Sequence, residues 1–215
     1  MFIGHFAMAF AGKKITKNIS LGTAFLAAQW LDLLWPILLF TGTEKVEIND
    51  AGNPLPLTFT HYPITHSLLA TIGWAVLFGV VYYFLKRNFK DALIIGSLVV
   101  SHWLLDLLVH VPDLPLSPFA ETKVGLGLWH YKLPELLIEM IMLTTGVFLY
   151  IKNTSAKNKT GRISLWALIV FLYLIQISNT FGAPPPNVKS LAIVGLSQWL
   201  LVFWAYWIDR NRFDV

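Results

Sequence analysis

The sequence contains no cysteine, which excludes disulfide bonds and thiolate metal sites. Any metal ligands must therefore be histidine, aspartate or glutamate. Charged residues make up only 13% of the 215 residues, whereas a soluble domain has about 25%. Hydrophobic residues make up 56%, and several apolar runs approach or reach the ~20 residues that cross a bilayer. This composition excludes an ordinary soluble domain and predicts a membrane protein.

The sequence shows no internal repeat and no low-complexity tract, so we predict a single integral membrane domain over residues 1–215. Its start lacks the basic segment and the cleavage site of a secretory signal peptide. The net charge is +4, but the basic residues lie at the ends of apolar runs. We therefore expect membrane lipid as a partner and no nucleic acid.

Seven apolar segments predict an all-α transmembrane bundle with about six full spans and a short N-terminal helix. They cover residues 2–11, 20–40, 64–85, 91–111, 134–151, 163–181 and 188–208. The first would form a helix of roughly 15 Å, about half the hydrocarbon core. Between the second and third, residues 46–48 and 57–60 alternate apolar and polar side chains. They predict a surface hairpin, with a turn at Asn53-Pro54.

Lysine and arginine mark every second connection of this bundle. Twelve of the sixteen lie in residues 12–18, 86–90 and 152–162 and in the C-terminal tail. The positive-inside rule places these connections and the C-terminus in the cytoplasm. The N-terminus and the loops at residues 41–62, 112–133 and 182–187 then face outward. The loop at residues 112–133 is long enough to act as a lid or to line a site.

Histidines and membrane-buried carboxylates gather toward the outward face. The histidines are His5, His61, His66, His102, His110 and His130, and the acids within apolar spans are Asp32, Asp106 and Glu139. Each unpaired carboxylate would cost about 2.5–3.5 kcal/mol at a helix centre. The available partners are a histidine, a bound metal or a proton.

The spacing of His102, Asp106 and His110 places all three side chains on one stripe of a helix. A His-x-x-x-Asp pair can chelate a divalent ion from a single helix, and these ligand types suit zinc, manganese or iron. A plain His–Asp hydrogen bond between packed helices is the alternative reading.

The predicted depth of each side chain in the membrane divides the other candidate ligands into two groups. At 1.5 Å per residue from the cytoplasmic boundary of each apolar segment, the side chains of one group lie roughly 12–23 Å into the membrane. This group is His5, Asp32, His102, Asp106 and Glu139. His66 lies higher, near 30 Å by the same count. We predict solvated roles for His130 and Glu135.

Four motifs resemble the bacterial LexA-regulated, inner-membrane-associated proteins described as metal-dependent hydrolases, many of which are labelled permeases. They are Gly4-His5, residues 30–36 (WLDLLWP), His61-x-x-x-Thr65-His66-Ser67 and Ser101-His102-x-x-x-Asp106. The resemblance covers about residues 1–140. A better-known branch of that family has Pro-Asp-x-Asp where this chain has Asp32 and then Leu34, which is one carboxylate fewer.

A more distant likeness is to the zinc-dependent phospholipases C and single-strand-specific zinc nucleases. They also combine an N-terminal histidine, an early aspartate, a mid-chain histidine and a His-x-x-x-Asp helix. His5, Asp32, His66, His102 and Asp106 occur in that order here.

These likenesses imply one or two divalent ions at an outward-facing site in the bacterial inner membrane, and zinc is the expected ion. The predicted metal ligands are His5, Asp32, His66, His102, Asp106 and His110. Asp32 or Glu139 is the predicted general base, and His61 and Asp113 are predicted to line the site. The activity implied is hydrolysis of a phosphoester or another ester in a lipid-like substrate. A transporter with a buried proton or cation site, or an assembly factor with interhelical polar contacts, are the alternatives.

Overall fold

The computed structural model describes residues 1–49 and 55–215. The chain begins with three short apolar helices, α1 (Ile3–Gly12), α2 (Leu21–Ala28) and α3 (Trp30–Phe40). The latter two meet at a 55° bend and together have the length of one span. The predicted second segment is therefore a broken helix rather than a continuous one. Its break lies at Gln29, which has non-helical backbone angles and a fully buried side chain.

A β-hairpin and a one-turn helix follow. Strands β1 (Lys45–Ile48) and β2 (Leu57–His61) pair antiparallel, which confirms the predicted hairpin. The predicted turn at Asn53-Pro54 lies outside the described residues. The helix α4 (Pro63–His66) comes next.

In the described part of the chain, five membrane-length helices make up the rest of the bundle. They are α5 (Leu68–Lys86), α6 (Phe89–Val109), α7 (Lys132–Asn153), α8 (Lys159–Phe181) and the pair α9 (Val188–Leu196) and α10 (Gln198–Arg210), which count as one span. Most of their apolar side chains face outward, as in a bundle surrounded by lipid: only 17% of the apolar stretch of α5 is buried. The predicted all-α bundle of up to six spans plus a short N-terminal helix is confirmed.

The short helix α1 lies in the centre of the bundle. It is buried on almost every side, and Phe6 and Phe10 are fully enclosed. Gly146 of α7 allows a close crossing, because a Cβ atom there would lie 2.4 Å from the Ala7 carbonyl oxygen. A half-length helix can occupy this place because its ends meet protein groups rather than lipid.

The predicted third span does not begin at residue 64, because the chain breaks at Ser67. Ser67 has an extended backbone, and its hydroxyl caps α5 by accepting from the Ala70 N–H at 3.2 Å. The same hydroxyl donates to the Pro63 carbonyl at 2.6 Å, which fixes α4 as a separate turn. This break sets the position of His66 at the end of α4.

The segment predicted as a lid contains a second hairpin, β3 (Leu114–Ser117) and β4 (Ala120–Val124). A single 3₁₀ turn, Leu128–His130, follows it. Gly125 lies against the end of α6, where a Cβ atom would be 2.0 Å from the Val111 carbonyl oxygen. The hairpin is therefore held close to the C-terminal end of α6.

The basic connections meet at the opposite end of the bundle. Strand β5 (Thr154–Ala156) pairs with β6 (Arg212–Asp214), and Lys13 forms an ion pair with Asp214 at 2.9 Å. Thr16 donates to Asp91 at 2.6 Å. We call this end the basic end.

Candidate metal centre

Five of the predicted ligands come together in the half of the bundle away from the basic end. They are His5 of α1, Asp32 in the first turn of α3, His66 at the end of α4, and His102 and Asp106 of α6. The three histidines and Asp106 are at most 4% exposed. The Asp32 side chain is 21% exposed, so it is the point at which the cluster meets its surroundings.

Two chain breaks bring this cluster together. The 55° bend between α2 and α3 places Asp32 in the first turn of a new helix. The break at Ser67 frees His66 from the direction of α5. The depth count along a straight helix places His66 too high because it takes no account of this break.

Two histidine nitrogens and two carboxylate oxygens lie close together. The Nε2 atom of His66 lies 3.4 Å from Asp32 Oδ1 and 3.8 Å from Asp106 Oδ2. The Nε2 atom of His102 lies 3.7 Å and 3.2 Å from the same two oxygens. Tetrahedral zinc ligands at about 2.0–2.1 Å from the ion are separated by roughly 3.4 Å. The four histidine–carboxylate separations are close to this value, as expected of residues that can hold a divalent ion.

The tautomer of His102 is fixed by a backbone carbonyl. Its Nδ1 lies 2.7 Å from the carbonyl oxygen of Ala28, the last residue of α2. A helix-terminal carbonyl has no intrahelical donor and can only accept, so Nδ1 carries the proton. In the neutral imidazole, the Nε2 atom then presents a lone pair to the cluster. It is buried and has no hydrogen-bond partner among the described residues.

The tautomer of His66 is fixed by a chain of two side chains. Glu44 is 1% exposed, and its carboxylate accepts from the N–H groups of Ile64 and Thr65 at 2.8 and 2.9 Å. The Thr65 hydroxyl donates its one proton to Glu44 at 2.6 Å. The His66 Nδ1, 2.7 Å from that hydroxyl, must then donate to it. This leaves His66 Nε2 with a lone pair as well.

These assignments make the cluster electrostatically incomplete. Two imidazole lone pairs face two carboxylate groups that can only accept hydrogen bonds. Such groups repel at 3.2–3.8 Å unless a cation or protons lie between them. The donor set and its spacing fit a zinc ion, and histidine nitrogens held by second partners are typical of zinc ligands.

His5 lies beside His102 on the other side of the Asp106 carboxylate. The two imidazole rings are stacked, with centroids 3.6 Å apart and planes 2° from parallel. The Nε2 atom of His5 is 3.2 Å from Asp106 Oδ1, yet neither ring nitrogen forms a hydrogen bond with a described residue. The α-amino group of Met1 also contacts Asp106 Oδ1, at 2.7 Å.

Glu139, a predicted general base, binds backbone instead of the cluster. Its oxygens accept from the Phe2 N–H at 3.0 Å and from the Gly4 N–H at 2.8 Å, at the start of α1. This is a cap supplied by another helix, and it satisfies donors that every helix start leaves open. The contribution of Gly4 to this cap is its backbone N–H, which donates to Glu139. Glu139 therefore fixes the helix that carries His5.

The remaining predicted site residues lie apart from the five. His110 Nδ1 is 2.8 Å from Asp113, which also accepts from the Tyr62 hydroxyl at 3.2 Å. Burial lowers the pKa of His110, against the opposing effect of Asp113. Burial, with Asp113 and Asp106, raises the pKa of the Tyr62 hydroxyl well above its usual range. His61 is exposed at the end of β2.

Two predictions of solvated residues have different outcomes. His130 is exposed, as predicted. The prediction for Glu135 is wrong: its side chain is 8% exposed and accepts from Gln176 at 3.3 Å. A carboxylate in the first turn of a helix is solvated only where no neighbouring helix covers it, and here α8 does.

Sequence reasoning missed Glu44, Thr65 and the Ala28 carbonyl. Glu44 lies in a polar loop, where a solvated role is the ordinary expectation. Thr65 adjoins His66 in the motif, but only the fold shows that its hydroxyl connects Glu44 to the imidazole. A backbone carbonyl leaves no trace in the sequence.

The chain was compared with protein-family profiles, curated proteins and solved structures. No curated protein and no solved structure matches it. One family profile does, and the match extends over residues 1–182, which include all five clustered residues. It is described as the YdjM inner membrane protein family. The family description and the apolar helices together indicate a multi-pass inner-membrane protein. This chain therefore belongs to the YdjM inner membrane protein family.

Proposed function

We propose that the cluster binds a divalent ion, with zinc as the preferred ion, and that the protein is a membrane-embedded hydrolase of a lipid-like ester. The observation that carries the proposal is that the Nε2 atoms of His66 and His102, whose Nδ1 atoms are held by other partners, both face the carboxylates of Asp32 and Asp106. An ion there would supply a polarised ester oxygen and a water of lowered pKa.

The residues of the chain have distinct roles in this proposal. His66, His102 and Asp106 are buried and hold the ion. Asp32 is the partly exposed ligand, so substrate and water approach from its side, and its second oxygen can take a proton from the attacking water. Because the surrounding helices present apolar surface to the membrane, a substrate with an acyl chain fits this approach.

The orientation follows from the charge pattern. The positive-inside rule assigns the basic end of the bundle to the cytoplasm. The cluster lies in the other half of the bundle. We therefore propose that the C-terminus is cytoplasmic and that the site opens toward the outer face of the inner membrane.

Metal analysis of the purified protein tests the proposal. The wild-type protein should carry zinc or manganese in stoichiometric amounts, and His66→Ala and His102→Ala should each lose it. His130→Ala, a change at an exposed histidine, should keep it. Absence of a transition metal from the wild type, with no thermal stabilisation by added zinc, would contradict the proposal.

Turnover then separates the hydrolase from the transporter. The metal-loaded protein in phospholipid vesicles should release product from a phospholipid or a synthetic phosphoester, and the His102→Ala protein should not. Metal binding without release of product, together with metal-dependent proton or cation flux, would favour the transporter instead.

The Glu44–Thr65–His66 chain makes a sharper prediction. Thr65→Val removes the hydroxyl that orients His66, so zinc affinity should fall by roughly 10–100-fold, the usual effect of losing a second-shell partner. Thr65→Ser keeps the hydroxyl and should bind nearly as the wild type does. Chelator competition measures both, and Thr58→Val, at an exposed hairpin position, is the control. Equal affinity in the valine and serine variants would show that Thr65 does not orient the ligand.

A further inference from the structure

The stacked pair of His5 and His102 bears on how many ions the cluster holds. An imidazole lone pair lies in the plane of its ring, and these planes are parallel within 2° at a centroid distance of 3.6 Å. An ion midway between the rings would lie about 1.8 Å out of each plane, which is roughly 60° away from the lone-pair direction for a bond of about 2.1 Å. One ion cannot be bound well by both histidines, although their ligand atoms lie close together.

The Asp106 carboxylate lies where it can serve a separate ion at each of the two histidines. Its two oxygens divide between the rings: Oδ1 lies 3.2 Å from His5 Nε2, and Oδ2 lies 3.2 Å from His102 Nε2. A carboxylate that meets two parallel ligands in this way can bridge two ions, and two-metal hydrolytic sites have ions about 3.5–4 Å apart. The 3.6 Å stack has the same spacing.

The geometry points to a two-ion centre, bridged by Asp106, whose substrate is an anionic phosphoester. One ion is held by His66, His102, Asp32 and Asp106, and the second by His5, the other oxygen of Asp106 and Asp32. The second ion would replace the contact between the Met1 amino group and Asp106 Oδ1. This inference rests on the proposed metal site.

Charge sets the substrate class. If only the ions and their carboxylate ligands are counted, one divalent ion would balance Asp32 and Asp106, because the imidazoles are neutral when they act as ligands. The Met1 amino group at Asp106 Oδ1 adds one positive charge at either loading. Two divalent ions would leave two positive charges in a buried site, which favours an anion and suits the in-line displacement of a phosphoester. A neutral carboxylic ester gains nothing from this excess charge.

Metal stoichiometry tests the second ion, with His5→Phe as the main variant, because phenylalanine keeps a ring against His102 but offers no ligand. Wild-type protein titrated with Mn²⁺ should bind two ions and give the spin-coupled spectrum of a two-ion centre. His5→Phe should bind one ion and give an uncoupled spectrum. His5→Ala should do the same, and His61→Phe, at an exposed position, should match the wild type.

The outcomes separate this inference from the proposed function. A wild type that binds one ion overturns the two-ion centre but leaves the proposed function standing, and one that binds none ends both. Two coupled ions in a folded His5→Phe protein would overturn the role of His5. For the substrate class, orthophosphate should be retained in equilibrium dialysis at two equivalents of zinc and lost at one. Equal retention at both loadings would overturn the charge argument.

Discussion

Asp106→Asn should abolish zinc binding, with a loss of affinity beyond the 10–100-fold expected for a second-shell change. Both carboxylate oxygens of Asp106 are engaged in the cluster, with His5 on one side and His102 on the other. Asparagine provides one oxygen, and its amide NH₂ would lie where the other oxygen meets an imidazole. The variant also removes one of the two negative charges that draw a cation into the site.

The same substitution should leave the metal-free fold intact, and this makes the result diagnostic. The amide NH₂ of asparagine can donate to the unpartnered lone pair of His102, which a carboxylate cannot do. Asparagine also loses the ion pair with the buried Met1 amino group, at 2.7 Å, so the thermal stability of the metal-free variant should fall below that of the wild type while the protein stays folded. Zinc at 100 times its Kd should add about 2.7 kcal/mol to the wild type and nothing to the variant.

A matched change at Asp113 supplies the control. Asp113→Asn alters a carboxylate that contacts His110 and Tyr62 beyond the C-terminal end of α6. It should retain the full stabilisation by zinc. Zinc stabilisation that survives in Asp106→Asn, or that is lost equally in both variants, would exclude Asp106 as a ligand.

The sequence predicts those parts of the site that depend on local spacing. His102 and Asp106 are four residues apart, so any helix through them places both on one face. The apolar spans and the charge alternation are equally local, because they depend on segment length and on composition. The depth count adds His5 and Asp32 to the same site, and the family resemblance adds His66.

The parts that the sequence does not predict depend on where the chain breaks and on backbone groups. Ser67 is a residue type that favours helix starts, but an apolar run through it is also consistent with one long span. The partner of Glu139 is harder still to predict, because any residue at the start of α1 supplies the same N–H groups. Sequence reasoning considers only side-chain partners, so it finds none for Glu139 and predicts a catalytic role instead.

Glu139→Ala should destabilise the protein strongly, through α1 rather than through the chemistry. It leaves the N–H groups of Phe2 and Gly4 buried without an acceptor, and each such group costs about 1–3 kcal/mol. Since the total stability of a domain is about 5–15 kcal/mol, this is a large share. Glu139→Gln keeps one acceptor oxygen and should lose less. Denaturation in detergent should rank the free energies of unfolding as wild type, Gln variant, Ala variant.

Turnover by Glu139→Gln then decides between anchoring and general-base catalysis. If Glu139 acts by fixing α1, the variant should keep measurable turnover with the wild-type pH profile, and any deficit should follow the loss of metal at His5. If Glu139 is instead the general base, the folded, metal-loaded variant would be inactive, because an amide cannot accept the proton. Glu121→Gln, at an exposed position of β4, controls for loss of charge. We expect anchoring, because both carboxylate oxygens are already occupied by backbone donors and point to the start of α1.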